Sequence, residues 1–131
     1  MMPAAPDPET PVEAYKAIID QLVNETSHGV SERLVRESGI YSKAPREKAA
    51  NRFVQSLTAD QRVLLAEMLR HERTSAIHDV LAVLTWWLQC REVALTFRGE
   101  LMPFELSDMG IHGDYVGRLD GWKWPVDDSE I

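Results

Sequence analysis

The chain has 131 residues, a formal net charge of −7 and 44% hydrophobic residues, so it is long and apolar enough to bury a core as one domain. The acidic balance disfavours general nucleic-acid binding, which depends on neutralising phosphates. The single cysteine excludes an internal disulfide. Because the chain also has no basic and apolar leader and no apolar run long enough to span a bilayer, we predict a cytoplasmic protein with no membrane segment.

Charge is distributed unevenly along the chain. Residues 33–52 hold six bases against two acids, while residues 99–131 hold eight acids against two bases. The basic block is typical of a solvated face that complements acidic elements of the same molecule, and an acidic partner is the alternative.

The first predicted helix has a strong start signal. Thr10 can cap it, Pro11 suits the first helical position and Glu13 completes a capping box. The apolar residues that follow share one face at helical spacing: Tyr15, Ile18, Ile19, Leu22 and Val23. A shorter helix is predicted over 31–38, with Gly39 as its terminator.

Further helices are predicted up to residue 91. One begins near Pro45 and is expected to turn one set of side chains inward: Ala49, Ala50, Phe53, Val54 and Leu57. Another begins at the capping box of Thr58. Residues 71–75 are polar and predict either a break or a continuous helix surface. The segment 77–91 is apolar on more than one side, which is typical of a central helix, with Cys90 as an inert core residue.

From residue 93 the pattern changes to short alternating runs with glycines. The alternations at 93–97 and 102–106 predict a hairpin, and the alternative is that the preceding helix runs on to residue 97. The dipeptide Asp120-Gly121, between 115–119 and 122–124, predicts a second hairpin.

These elements predict a mainly α fold. We expect a single-domain bundle of four to five helices over residues 10–125, with a small C-terminal β-hairpin and Gly-aromatic appendage at 93–125. Residues 1–9 and 126–131 are predicted to be flexible tails, of which the second is acidic.

No residue spacing in the chain identifies a reaction. Glu67 and His71 share a helix face, but the zinc-protease spacing is absent, so we interpret the pair as a solvated surface. A metal site that adds His112 or Asp114 to the pair is the alternative. Cys90 lacks the further cysteines of a structural zinc site within one chain. We therefore predict no metal and no cofactor.

The candidate site for a ligand or partner lies in the glycine-punctuated last quarter of the chain. It comprises six side chains: His112, Asp114, Tyr115, Arg118, Trp122 and Trp124. Arg118 can face an anionic ligand, the tryptophans can form an aromatic wall, and His112 and Asp114 can share a proton. The alternative is a structural clamp, in which the tryptophans are buried anchors and Arg118 pairs with a neighbouring acid.

The preferred functional hypothesis is an interaction module, without enzymatic activity, that binds another protein or itself as a homo-oligomer such as a homodimer. Its surface would be the aromatic tail or the exposed side of the helix that carries Trp86 and Trp87. Nucleic-acid binding through residues 33–52 is the weakest hypothesis, because no recognition motif supports it.

An enzyme that binds a small ligand or a metal is the alternative from a different class. It would use His112 and Asp114, with Glu67 and His71 as further groups, and it requires these side chains to converge in a concave site.

Overall fold

The protein is described by a computed structural model over residues 6–125. Of the predicted flexible tails, residues 1–5 of the first and all of the second, 126–131, lie outside the described residues. The elements in chain order are α1 (Pro11–Gln21), a π-helical turn (Leu22–Thr26), α2 (Val30–Ser38), a 3-10 turn (Pro45–Glu47), α3 (Lys48–Gln55), α4 (Ala59–Cys90), β1 (Thr96–Phe97), β2 (Glu100–Leu101) and α5 (Gly110–Leu119). The mainly α prediction is confirmed.

The chain divides into two compact units. The terminal unit comprises Met1–Asn24 with Ile77–Ile131, and the inserted unit comprises Glu25–Ala76. Each has its own apolar cluster. The expectation of a single domain over residues 10–125 stays a prediction. Within residues 6–125, no helix combines the length and the apolarity that crossing a bilayer requires.

In the terminal unit, α1 begins as its sequence predicts. The Thr10 hydroxyl accepts the Glu13 backbone N–H at 3.1 Å, and Pro11 opens the helix. In a standard capping box the Glu13 carboxylate would accept the backbone N–H of Thr10. Here it accepts the N–H of the preceding residue, Glu9, at 2.8 Å. The inward face of α1 joins the main core of this unit, whose buried members are Ala14, Tyr15, Ile19, Leu81, Leu88, Met102, Ile111 and Tyr115.

The inserted unit is built round Val35, Val54 and Ala66, all of which are buried. Helix α2 ends at Gly39, whose φ of +68° is the left-handed geometry that glycine adopts without a steric penalty. The prediction that Phe53 faces inward is wrong, since its side chain is 59% exposed. Helix α3 has only eight residues, and its buried residue is Val54, which is rotated by about 100° from Phe53.

Helix α4 is continuous from Ala59 to Cys90, so the polar stretch at 71–75 is helix surface rather than a break. Its start is a complete capping box. Thr58 Oγ1 accepts the Gln61 N–H at 3.2 Å, and Gln61 Oε1 accepts the Thr58 N–H at 2.9 Å.

The prediction that 77–91 is a central helix, buried on more than one side, is wrong. Leu81, Thr85 and Leu88 are buried, whereas the opposite side of the helix faces solvent. Cys90 is exposed as well, so it is not a core residue. The helix is apolar on two sides, but the other elements of the terminal unit cover one of them.

A short hairpin follows α4. Thr96 pairs with Leu101 and Phe97 with Glu100, and Gly99 at φ +81° forms the turn. The first predicted hairpin is thus confirmed in kind, with shorter strands than the alternations indicated. The alternative of a helix that runs on to residue 97 is wrong, because α4 ends at Cys90.

The second predicted hairpin is wrong, because residues Gly110–Leu119 form α5. The Asp120-Gly121 signal ends this helix instead of joining two strands. Gly121, at φ +82°, donates its N–H to Arg118 O, and Trp122 donates its N–H to Gly117 O at 2.9 Å. These two bonds form a Schellman motif, which requires the same left-handed glycine as a tight turn.

Candidate functional site

Asp114 is a buried carboxylate at the centre of the terminal unit. It lies on the inward face of α5 and has no exposed surface. It accepts the Tyr15 hydroxyl at 2.5 Å, the Leu106 backbone N–H at 2.8 Å, and the hydroxyl of Ser107. Three donors satisfy a buried carboxylate that would otherwise be strongly destabilising, so Asp114 holds α1, α5 and the loop before α5 together.

The pKa of Tyr15 is raised well above its usual value near 10.0. Burial is the largest cause, because it disfavours the phenolate. The hydrogen bond that the hydroxyl donates to Asp114 and the negative charges of Asp114 and Glu105 add to it. The phenol of Tyr15 is therefore a locked proton donor in a structural pair.

Arg118 and Trp124 converge on Asp20 of α1, and Trp122 lies beside them. Arg118 Nε donates to Asp20 Oδ1 at 2.7 Å, and Trp124 Nε1 donates to Asp20 Oδ2 at 3.2 Å. Arg118 also donates from Nη1 to Trp122 O at 2.6 Å, and its guanidinium lies 5.0 Å from the centroid of the Trp124 ring. This set of four side chains is named the Asp20 cluster below.

Rings extend the Asp20 cluster into the core. Trp124 contacts Tyr15 edge-on, with centroids 6.1 Å apart, and it contacts Trp122 at 5.7 Å. A side chain at Gly117 would come within 3.2 Å of the Trp122 ring, so glycine permits the close approach. These contacts have the form of the alternative that the sequence left open, in which the tail anchors the helices.

His112 does not contact Asp114 through its ring. The two residues are two positions apart on α5, which places them about 200° apart round the helix. The ring nitrogen Nδ1 of His112 instead lies 3.3 Å from the Thr85 hydroxyl, and its ring lies against that of His78. The shared proton proposed from sequence is therefore not formed, since the Asp114 oxygens accept other donors.

The six residues of the sequence-predicted site thus fall into three places. Asp114 and Tyr115 are in the core, the Asp20 cluster holds Arg118 with the two tryptophans, and His112 faces α4. Whether any of them binds a ligand or a partner stays a prediction.

Two grooves lie elsewhere. One of about 320 Å³ in the terminal unit follows the hairpin and has an apolar lining that includes Leu88, Leu95 and Phe104. One of about 490 Å³ in the inserted unit lies along α2 and includes Arg33, Glu37 and Lys43 in its lining. None of the six candidate residues lines either groove.

The alternative of a metal-dependent enzyme requires several metal ligands close together. Among residues 6–125, no group of three or more His, Cys, Asp or Glu side chains is placed to hold a metal ion. Glu67 and His71 are exposed on the part of α4 that belongs to the inserted unit.

A further candidate surface lies on α4, on the exposed side of the segment that carries Trp86 and Trp87. This side carries four large apolar side chains in just over two turns: Val80 at 67% exposure, Val83 at 60%, Trp86 at 49% and Trp87 at 44%. Exposed Cys90 completes it, and we call these five residues the outward face of α4. The guanidinium of Arg91 lies 5.5 Å from the centroids of both tryptophan rings. The second apolar side of 77–91 was expected to pack within a central helix, and its exposure leaves it as one of the two surfaces that the interaction hypothesis names.

The fold is that of a small, mainly helical protein with one short hairpin and an exposed aromatic helix face. The chain belongs to the family of unknown function DUF6547, whose model matches residues 8–126. No curated protein and no solved structure matches the chain.

Proposed function

We propose that this protein is a cytoplasmic interaction module that pairs with a second copy of itself through the outward face of α4. The observation that carries the proposal is a contiguous set of large apolar side chains, two of them tryptophans, exposed along just over two turns of one helix. A monomer rarely exposes such a stripe, because covering it removes apolar surface from water.

The spacing of the stripe supports a helix as its occupant. Val80, Val83, Trp87 and Cys90 are separated by three, four and three residues, which is the alternation of a helix-packing seam. Such a seam fits a second helix with the same repeat. The outward face of α4 itself supplies that repeat, and a twofold axis would make the contact closed and self-complementary.

Charge supports an antiparallel arrangement. Asp79 and Arg91 flank the uncharged segment 80–90 at opposite ends. In a parallel pair each charge would lie level with its own copy, whereas in an antiparallel pair each lies level with the opposite charge. Like charges at one level are unfavourable, so the antiparallel pair is favoured.

In an antiparallel pair centred at the level of Thr85, Val83 packs against Trp87 of the second copy. By the same symmetry Val80 packs against Cys90. The large tryptophan therefore meets a small β-branched side chain, which suits the interdigitation of large and small residues in a helix interface. Trp86 and Arg91 flank the seam and contact each other.

The cytoplasmic location belongs to the same proposal. An exposed thiol without a cysteine partner is compatible with a reducing compartment, whereas in an oxidising one it would be exposed to oxidation or to mixed disulfides with small thiols. Trapping of free thiols in cells should find Cys90 reduced, and a disulfide at Cys90 would contradict this location.

A native mass spectrum of the purified protein at increasing concentration tests the pairing. We expect a dimer whose dissociation constant rises by about 30-fold or more in Trp87→Ala, because a buried tryptophan is worth about 2 kcal/mol or more at an interface. Trp122→Ala is the matched variant from the aromatic tail and should leave the dissociation constant within about threefold of the wild type. A dimer lost in Trp122→Ala and retained in Trp87→Ala would move the interface to the tail and overturn the proposal.

A further inference from the structure

Two histidines of the terminal unit lie against each other at the junction of α4 and α5. The ring centroids of His78 and His112 are 5.1 Å apart, with the ring planes at 84°. His78 is 39% exposed, so solvent and small ions reach the pair. The outward face of α4 does not include His78, which lies on the other side of the helix.

The Nδ1 atom of His78 has an acceptor beside it. Asp79 Oδ1 lies 3.1 Å from this nitrogen, and an ionised carboxylate can only accept. The proton of neutral His78 therefore resides on Nδ1, and the lone pair is left on Nε2.

The Nδ1 atom of His112 also has an acceptor beside it, the hydroxyl oxygen of Thr85. Thr85 donates its proton to Leu81 O at 2.8 Å and accepts the Ile111 backbone N–H at 3.0 Å. Its remaining lone pair faces His112 Nδ1 at 3.3 Å, so the histidine donates from Nδ1 and keeps its lone pair on Nε2. Gly110 packs against this ring, and a side chain at that position would collide with it.

Both histidines thus carry a lone pair on Nε2. Among the described residues, neither Nε2 atom has a hydrogen-bond partner. An imidazole whose Nδ1–H is bound to a carboxylate or another oxygen is the usual form of a histidine that ligates a metal through Nε2, because the second contact fixes the tautomer and the ring.

The ring separation matches a shared ion. At a metal–nitrogen distance of about 2.1 Å and a tetrahedral angle, two imidazole centroids lie about 5.2 Å apart. We propose that His78 and His112 bind one divalent transition-metal ion of the Zn²⁺ type through their Nε2 atoms. The chain supplies two ligands and solvent completes the coordination, so the ion is exchangeable rather than structural.

Isothermal titration of the full chain with Zn²⁺ at neutral pH tests this site, with native mass spectrometry to count bound ions. We expect one exchangeable ion per chain, and an affinity at least about tenfold lower in His78→Ala and in His112→Ala. His71→Ala and His28→Ala are matched controls, which remove the other two histidines of the chain and should leave the affinity unchanged. Mg²⁺, which prefers oxygen ligands, should not compete.

His78→Ala carries the test if His112→Ala fails to fold, because His78 is partly exposed and lies outside the apolar core. Zn²⁺ should raise the melting temperature of the wild type and of His71→Ala, and it should not raise that of His78→Ala. Equal Zn²⁺ affinity in the wild type and His78→Ala, or no binding to the wild type, would overturn the proposal. So would a loss of affinity in His71→Ala.

Discussion

The hydroxyl of Tyr15 on α1 donates a 2.5 Å hydrogen bond to the carboxylate of Asp114 on α5, across 99 positions of sequence. Both side chains are buried, at 2% and 0% exposure. The pair links α1 and α5, two of the helices whose buried residues form the core of the terminal unit, and the same carboxylate holds the loop before α5 through the Leu106 N–H.

Removing the donor should destabilise the protein. In Tyr15→Phe the Asp114 carboxylate loses one of its three donors while staying buried, and a hydrogen bond to a charged group contributes about 1.5–3 kcal/mol. We expect that decrease in the free energy of unfolding by urea denaturation. Tyr41→Phe is the matched control, because its hydroxyl has no hydrogen bond among the described residues, and it should change stability by less than about 0.5 kcal/mol. Equal stabilities of the two variants would contradict this role of Asp114.

The raised pKa of Tyr15 predicts a loss of stability in alkali. The folded protein retains the phenol proton at a pH where the unfolded chain, with a pKa near 10.0, releases it. Stability from this group is therefore complete below about pH 10 and falls above it, by about 1.4 kcal/mol per pH unit. The free energy of unfolding of the wild type should approach this slope between about pH 10 and 12 and should change little from this group between about pH 8 and 9. If Tyr15→Phe has the same slope, another group is responsible.

The Asp20 cluster should stabilise the terminal unit. Asp20→Ala removes the acceptor of both Arg118 and Trp124, which are partly buried, and we expect a decrease in stability of about 1–2 kcal/mol. Tryptophan fluorescence should also shift to the red as the Trp124 ring loses its contact. Asp60→Ala, on the exposed first turn of α4, is a control for the loss of one negative charge. If Asp20→Ala leaves the free energy of unfolding unchanged, the tail is anchored by its aromatic rings alone.

The antiparallel pairing predicts a specific cross-link. Val80 of one copy lies level with Cys90 of the other, so Val80→Cys should form a disulfide between copies under mild oxidation. The wild type should cross-link poorly, since its two Cys90 residues lie at opposite ends of an antiparallel pair. Efficient Cys90–Cys90 cross-linking of the wild type would instead indicate a parallel pair. Val116→Cys, exposed on α5, controls for random collision.

Helix starts and one helix end could be predicted because their sequence signals are local. The Thr10 and Thr58 caps and the left-handed Gly39 act through hydrogen bonds within a few residues, and the structure has all three. The hairpin about Gly99 is local in the same sense. Helix α5 could not be predicted, because its glycines have low helix propensity and its Asp-Gly end also fits a turn. Burial of Ile111 and Tyr115 against other elements overrides those local preferences.

The candidate site was recognised as a set of chemically useful residues, but its grouping depended on the error at α5. A loop before the predicted strand at 115–119 would have left His112 and Asp114 free to approach each other, whereas α5 places them about 200° apart round the helix. The Asp20 and Thr85 partners lie far away in sequence, so no local pattern indicates them. The second apolar side of α4 was visible, but a single sequence does not say whether such a side is covered within the chain or by another copy.

Sedimentation equilibrium of the wild type and of Val83→Lys tests the central claim most directly. Val83 is 60% exposed in the single chain, so a lysine there should leave folding intact and place a charge in the middle of the proposed seam. Val116→Lys, exposed on α5 outside that face, is the matched control. We expect a dimer for the wild type and for Val116→Lys, and a monomer for Val83→Lys. A wild type that is monomeric up to high micromolar concentration, or a dimer that survives in Val83→Lys, would contradict it.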